Sequence, residues 1–156
     1  MERKQGPFPS PAFLKQIAAN AIVPLMYSYS GEVTGYVDNQ PMGAALTSGK
    51  VASVWMSVEA SGKDDSNALQ ISGEVSINGT SCLTTQASIC HVSGEASQHK
   101  TTVITGDTGI AQAVVDPDNN TFTRGDLFTC DFTLVRTASP TTEIKNPCIV
   151  VEFEPS

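Results

Sequence analysis

Two alternating runs decide the fold of this chain: Val51-Ala52-Ser53-Val54-Trp55-Met56-Ser57-Val58-Glu59-Ala60 and Leu69-Gln70-Ile71-Ser72-Gly73-Glu74-Val75-Ser76-Ile77. In the first, every even position is apolar and the odd positions are chiefly Ser or Glu. In the second, the odd positions take the apolar role. Strict period-two alternation is what a strand needs when one sheet face is buried and the other meets water. The intervening Ser61-Gly62-Lys63-Asp64-Asp65-Ser66-Asn67 is a polar loop, and Asn78-Gly79 after the second run has the φ > 0 tolerance of a two-residue hairpin turn. The stretch reads as the heart of a β-sandwich.

Working outward toward the C-terminus, Cys82-Leu83-Thr84-Thr85-Gln86 reads as the return strand, followed by Ala87 to Val92 and a polar loop over Ser93 to Lys100. Thr101 to Thr105 and Gly109 to Val115 read as strands, and Asp116-Pro117-Asp118-Asn119-Asn120 as a strong turn. Leu127 to Arg136 alternates, with Phe128, Cys130, Phe132 and Leu134 on one face and Thr129, Asp131 and Thr133 on the other. Cys148 to Glu154 closes the chain with Ile149, Val151 and Phe153 inward. Roughly eight strands in about 110 residues match an antiparallel sandwich of Greek-key or jelly-roll type. The absence of crossover helical patterns excludes a parallel α/β sheet.

Residues 1–44 differ in kind. Pro7, Pro9, Pro11, Pro24 and Pro41 interrupt each candidate element, which argues for an arm rather than a strand ladder. Ser10-Pro11 forms an N-cap and first turn, after which Phe13, Leu14, Ile17, Ala18 and Ala21 recur at helical spacing until Pro24 stops the helix. A helix of about three turns is marginal alone, so it lies either on its own sandwich or on a neighbouring subunit. Gly31 to Val37 reads as one short strand in an extended lead-in. The expected domains are an arm over 1–44 and a sandwich over 45–156.

The 156 residues carry a formal charge of −7, unevenly placed: residues 1–50 hold four Lys/Arg against three Asp/Glu, leaving five against thirteen beyond. An acidic sandwich repels phosphate backbones, which argues against nucleic-acid binding. No run approaches a membrane span, and no apolar segment follows the charged N-terminus, so synthesis in a cytoplasm is expected. Cys82, Cys90, Cys130 and Cys148 lack Cys-x-x-Cys spacing, and only His91 and His99 accompany them; the expectation is free thiols, with no metal and no cofactor. Cys82 and Cys90 are close enough in sequence to face each other across a hairpin.

Catalytic chemistry is not legible. Hydrolysis needs a nucleophile with a base, or paired carboxylates across a cleft. Cys90, His91, Glu95 and His99 are read as an incidental cluster on a solvated loop, and Asp64-Asp65 and Asp116-Pro117-Asp118 as turn residues without calcium-loop spacing. Arg124-Gly125-Asp126 stands where a turn feeds a strand, with Gly for backbone freedom and Asp for capping. The sequons at Asn78 and Asn119 fall in turns. Trp55, the sole Trp, falls on the strand face that otherwise carries Ser and Glu, so something is expected to cover it: the arm, a partner or, third, a stacked sugar.

Val51 to Gln86, with its central aromatic and the segment Ile77-Asn78-Gly79-Thr80-Ser81, together with Gly125-Asp126-Leu127 entering an alternating strand, resembles jelly-roll modules of tailed-bacteriophage virion proteins. These occur in capsid cement (decoration) proteins and in head-fibre or tail attachment proteins. The resemblance covers about two-thirds of the chain; the four cysteines and the Pro-rich arm depart from it. It implies a non-enzymatic cement protein on the capsid surface of the virion, a homo-oligomer that binds the major capsid protein lattice and stabilises the head. Phe8, Phe13, Leu14, Ile17 and Trp55 are the expected capsid-binding residues. The alternative it implies is a receptor- or carbohydrate-binding module of a tail or fibre.

Overall fold

A computed structural model describes residues 23–64, 69–104, 107–136, 140 and 142–155. The expected helix over residues 10–21, and with it Phe8, Phe13, Leu14 and Ile17, lies outside the described residues. Within them the chain is all β. It runs through β1 (Leu25–Ser28), β2 (Glu32–Val33), β3 (Val37–Ala44), β4 (Gly49–Val58) and β5 (Gln70–Ile77). Then come β6 (Thr80–Ser81), β7 (Leu83–Thr85), β8 (Ala87–Cys90), β9 (Lys100–Thr101) and β10 (Ile110–Ala111). The last five are β11 (Val114–Val115), β12 (Thr121–Phe122), β13 (Leu127–Val135), β14 (Ile144–Lys145) and β15 (Cys148–Pro155).

Two antiparallel sheets form a sandwich. One has the order β1-β15-β4-β12, with β9 also beside β4; the other has the order β10-β8-β5-β13-β3, with β6 folded back on β5. The chain passes repeatedly between them, and the first strand among the described residues lies beside the last. Short ladders β11-β7 and β14-β2 complete the pairing.

The two runs that alternate in sequence are central strands facing each other. Val54, Met56 and Val58 of β4 and Ile149 and Val151 of β15 are buried against Ile71, Val75, Phe128, Cys130 and Phe132 of the opposite sheet. Close approach is visible at Gly73, where a Cβ would stand 2.9 Å from Ile149 Cδ1 and 3.1 Å from Met56 Sδ. A side chain there would need core atoms to move. At one end Phe122, Phe128 and Phe153 pack edge to face, with centroids 4.9 to 5.3 Å apart.

The alternation of β4 breaks once. Glu152 lies opposite Ser53, but Phe153 lies opposite Val51, so Ala52 is an extra residue in the ladder. This bulge turns Val51 inward and exposes Ala52, reversing the even-position pattern at that one place. The Asn78-Gly79 turn forms as its sequence predicts: φ is 50° and 83°, and Ile77 pairs with Thr80.

Residues 25–44 supply two sandwich strands, although their prolines point to an arm. β1 pairs with β15 and β3 with β13, and Val33 and Met42 are buried in the core. Both strands are sheet edges, where a missing N–H on the open side leaves no ladder bond unmade; Pro41 lies opposite Thr129 next to a register shift. Tyr27 Oη donates to Gln40 Oε1 at 3.0 Å, joining the two edges across the sandwich.

Candidate functional site: the outer face around Trp55

With its even positions turned into the core from Val54 onward, β4 places Ser53, Trp55 and Ser57 on the outer face of its sheet. Trp55 lies opposite Val150 of β15, and Val150 lies opposite Met26 of β1. The three apolar side chains form a row across three strands. Val150 is only 5% exposed although it points away from the core, whereas Met26 is 61% exposed and Trp55 half-buried. A β-branched residue beside an aromatic is a favourable cross-strand pair.

Beyond Trp55 the edge of β4 is incompletely covered. β9 pairs with Ser57 and Val58, β12 with Gly49 and Lys50, Val51 N donates to Asn120 O at 2.9 Å, and the edge is open between these contacts. Thr102 extends the coverage by one residue: its N–H donates to Met56 O, and its Oγ1 accepts from Met56 N, both at 2.9 Å. The chain then turns away, Val103 N donating to Thr101 Oγ1, and leaves Val103 and Ile104 more than half exposed. Backbone groups of alternate residues point to the same side of a strand. Val54 N–H and C=O therefore face the gap, as those of Met56 do, and they meet no partner among the described residues.

A hollow of about 740 Å³ opens at this place, lined from β4 by Ser53, Val54, Trp55 and Ser57 and from β15 by Glu152. Its other walls come from the 99–104 segment and from Gln112-Ala113. Ser53 Oγ donates to the Glu152 carboxylate. No Lys or Arg is among the described residues that line it. The Trp55 indole N–H, the Ser57 hydroxyl, the His99 ring and the Gln112 amide make no hydrogen bond with other described residues.

Behind the hollow lies a buried polar centre that the sequence does not announce. Lys100 is 2% exposed, and its Nζ donates to Glu95 Oε2 at 2.6 Å, Thr108 O at 2.8 Å and Cys90 O at 3.1 Å. All three ammonium protons are thus placed, which is the condition for burying a charge. The Glu95 carboxyl is held below the usual range first by the Lys100 hydrogen bond and then by that from Thr108. His91 is also buried, not on a solvated loop as expected. Its Nδ1 accepts from Asp64 N at 3.4 Å, which leaves Nε2 to donate to Glu95 O at 3.1 Å. With both nitrogens occupied by backbone, His91 holds two loops together and has no free nitrogen to act as a base.

The remaining motifs resolve as structure. Asp126 Oδ2 accepts from Thr123 N at 2.7 Å and from Thr123 Oγ1, and Oδ1 accepts from Asn78 Nδ2 at 2.9 Å. The Thr123 amide, then Asn78, lower its pKa. The Arg124-Gly125-Asp126 carboxylate is therefore engaged in its own turn. Asn119 is likewise bound to Asp116. All four cysteines are unbridged; burial pushes Cys82 and Cys130 up to about 12. Cys82 and Cys90 do not face each other. Cys82 N bonds Val75 O whereas Cys90 pairs with Gln70, five residues apart on β5 or roughly 17 Å. Among the described residues no group of three His, Cys, Asp or Glu could hold a metal ion.

Of the residues singled out in sequence as candidates for chemistry or binding, Trp55 and His99 meet at the hollow, while His91 meets Glu95 and Asn78 meets Asp126 elsewhere. Val54, Gln112 and Glu152 were not foreseen: Val54 contributes backbone, and nothing local marks Gln112 or Glu152 as neighbours of Trp55. Comparison with protein-family models, with curated proteins and with solved structures finds no match to the chain.

Proposed function

We propose that the sandwich is a jelly roll and that the protein is a non-enzymatic capsid cement protein, binding the major capsid protein lattice of a tailed phage and stabilising the head. The observation that carries this reading is the strand order. Taking the long-range strands, β1-β15-β4-β9 and β3-β13-β5-β8 make two four-stranded sheets, the chain crossing between them at every step except β5 to β8, which supports the arrangement of two Greek keys that viral capsid and lectin domains share. The engagement of Asp116, Asp126, Glu95 and His91 in turns and loop contacts supports a structural rather than a catalytic role. Lattice contact falls to the N-terminal segment through Phe8, Phe13, Leu14 and Ile17, with copies of the protein assembling on the capsid surface. The acidic sandwich faces outward.

The second reading, a receptor- or carbohydrate-binding module of a tail or fibre, is favoured by the hollow at Trp55, whose polar groups include several unpaired among the described residues. The two differ in copy number and location. Quantitative mass spectrometry of purified particles, with heads separated from tails, should find the protein in the head fraction at copy numbers on the scale of the capsid subunits. A few copies confined to the tail would overturn the cement reading in favour of the second, and absence from particles would overturn both.

A further inference from the structure

We propose that the hollow beside Trp55 is a binding site for a neutral saccharide, whichever part of a particle carries the protein. The indole supplies an aromatic surface, on which the C–H face of a pyranose ring stacks. Around it stand groups of both hydrogen-bonding kinds: the Val54 N–H and C=O in the gap between β9 and β12, the Gln112 amide, the Ser57 hydroxyl and the Trp55 N–H.

This mixture is what selects the ligand class. An anion calls for donors alone and a cation for acceptors alone, whereas each sugar hydroxyl both gives and takes a hydrogen bond. Charge points the same way. Glu152 lies in the hollow, no Lys or Arg is among its described lining residues, and the chain carries −7 overall, so sialylated and sulfated sugars are repelled. A protein subunit is a poorer fit than a sugar, because the site is concave and offers backbone groups unpaired among the described residues rather than a flat dry patch.

The chain reports on its own site, since Trp55 is the only tryptophan. Purified full-length protein would be titrated with glucose, galactose, mannose and N-acetylglucosamine and with their β1,4-linked trimers, while the indole emission is followed. Sialyllactose and a heparin oligosaccharide serve as anionic comparators. The expected result is a saturable emission change with at least one neutral sugar and none with the anionic ones. Gln112→Ala, at an exposed residue without hydrogen bonds to other described residues, should leave the melting temperature unchanged and weaken that sugar roughly tenfold, the scale of one lost hydrogen bond. Glu152→Gln should relax the exclusion of sialyllactose. A flat titration with every neutral sugar would overturn the proposal. So would a preference for anionic sugars, neutral binding unaffected by Gln112→Ala, or an emission change that appears on adding capsid shells and not on adding sugars.

Discussion

Trp55 and Val150 face each other across β4 and β15 on the outside of the sandwich, and Val150 keeps only 5% of its surface exposed on a face that also carries Ser53, Ser57 and Glu152. Removing the indole should uncover Val150 without touching the core. Trp55→Ala is expected to cost about 1 to 2 kcal/mol by urea unfolding, the scale of partial burial and one aromatic pair, with the β circular-dichroism spectrum retained. Outright unfolding would place Trp55 in the core.

Among the described residues Lys100 has Glu95 as its only carboxylate partner. Glu95→Gln should destabilise by about 3 kcal/mol, because it leaves a buried ammonium without its counter-charge. Lys100→Met, which removes the charge with its stem, should cost less than Glu95→Gln. The opposite ranking in chemical denaturation would mean that the pair contributes little.

Acid should weaken the fold through the same residues. Glu95, Asp116 and Asp126 have folded pKa values below their ordinary 4.5, 3.8 and 3.8, so the folded state binds fewer protons than the unfolded one in this range. Their stabilisation is complete above about pH 5 and is lost as pH falls below 4.5 through the folded values. Melting temperatures from pH 7 to pH 2 should show this decline, and Glu95→Gln should flatten its upper part.

The buried thiols act at the other end of the scale. Cys82 and Cys130 stay protonated in the fold to about 12, whereas an unfolded thiol ionises near 9, so both destabilise the fold as pH rises from 9 toward 12 and are neutral below. A thiol-specific reagent at pH 8 should leave both unmodified in the native protein and label all four cysteines in urea. Reductant should not move the melting temperature.

Deletion of residues 1–22 should leave the sandwich folded, because β1 begins at Leu25. Deletion of 1–44 removes β1, β3 and the buried Val33 and Met42 and should abolish cooperative unfolding. Binding of the shorter deletion to capsid shells that lack the protein, at undiminished occupancy, would exclude the N-terminal segment as the lattice anchor.

Sequence by itself determined whatever depends on consecutive residues. The facing of β5, β13 and β15, the Asn78-Gly79 turn, the capping role of Asp126 and the outward position of Trp55 all follow from period-two alternation or from turn chemistry, which a dozen residues suffice to express. Tertiary structure decided what depends on partners far apart in the chain. The bulge at Ala52 exists only relative to Glu152 and Phe153; the edge positions that make Pro41 harmless exist only once β3 finds β13; and Leu25 becomes a sandwich residue by pairing with Val151, near the other end of the chain. Lys100 and His91 look like surface residues until the folding of the 90–108 segment places the carbonyls of Cys90, Glu95 and Thr108 around them and brings the Asp64 amide onto His91. The hollow is of the same kind, since it is a gap between β9 and β12, and a gap has no residues of its own to read.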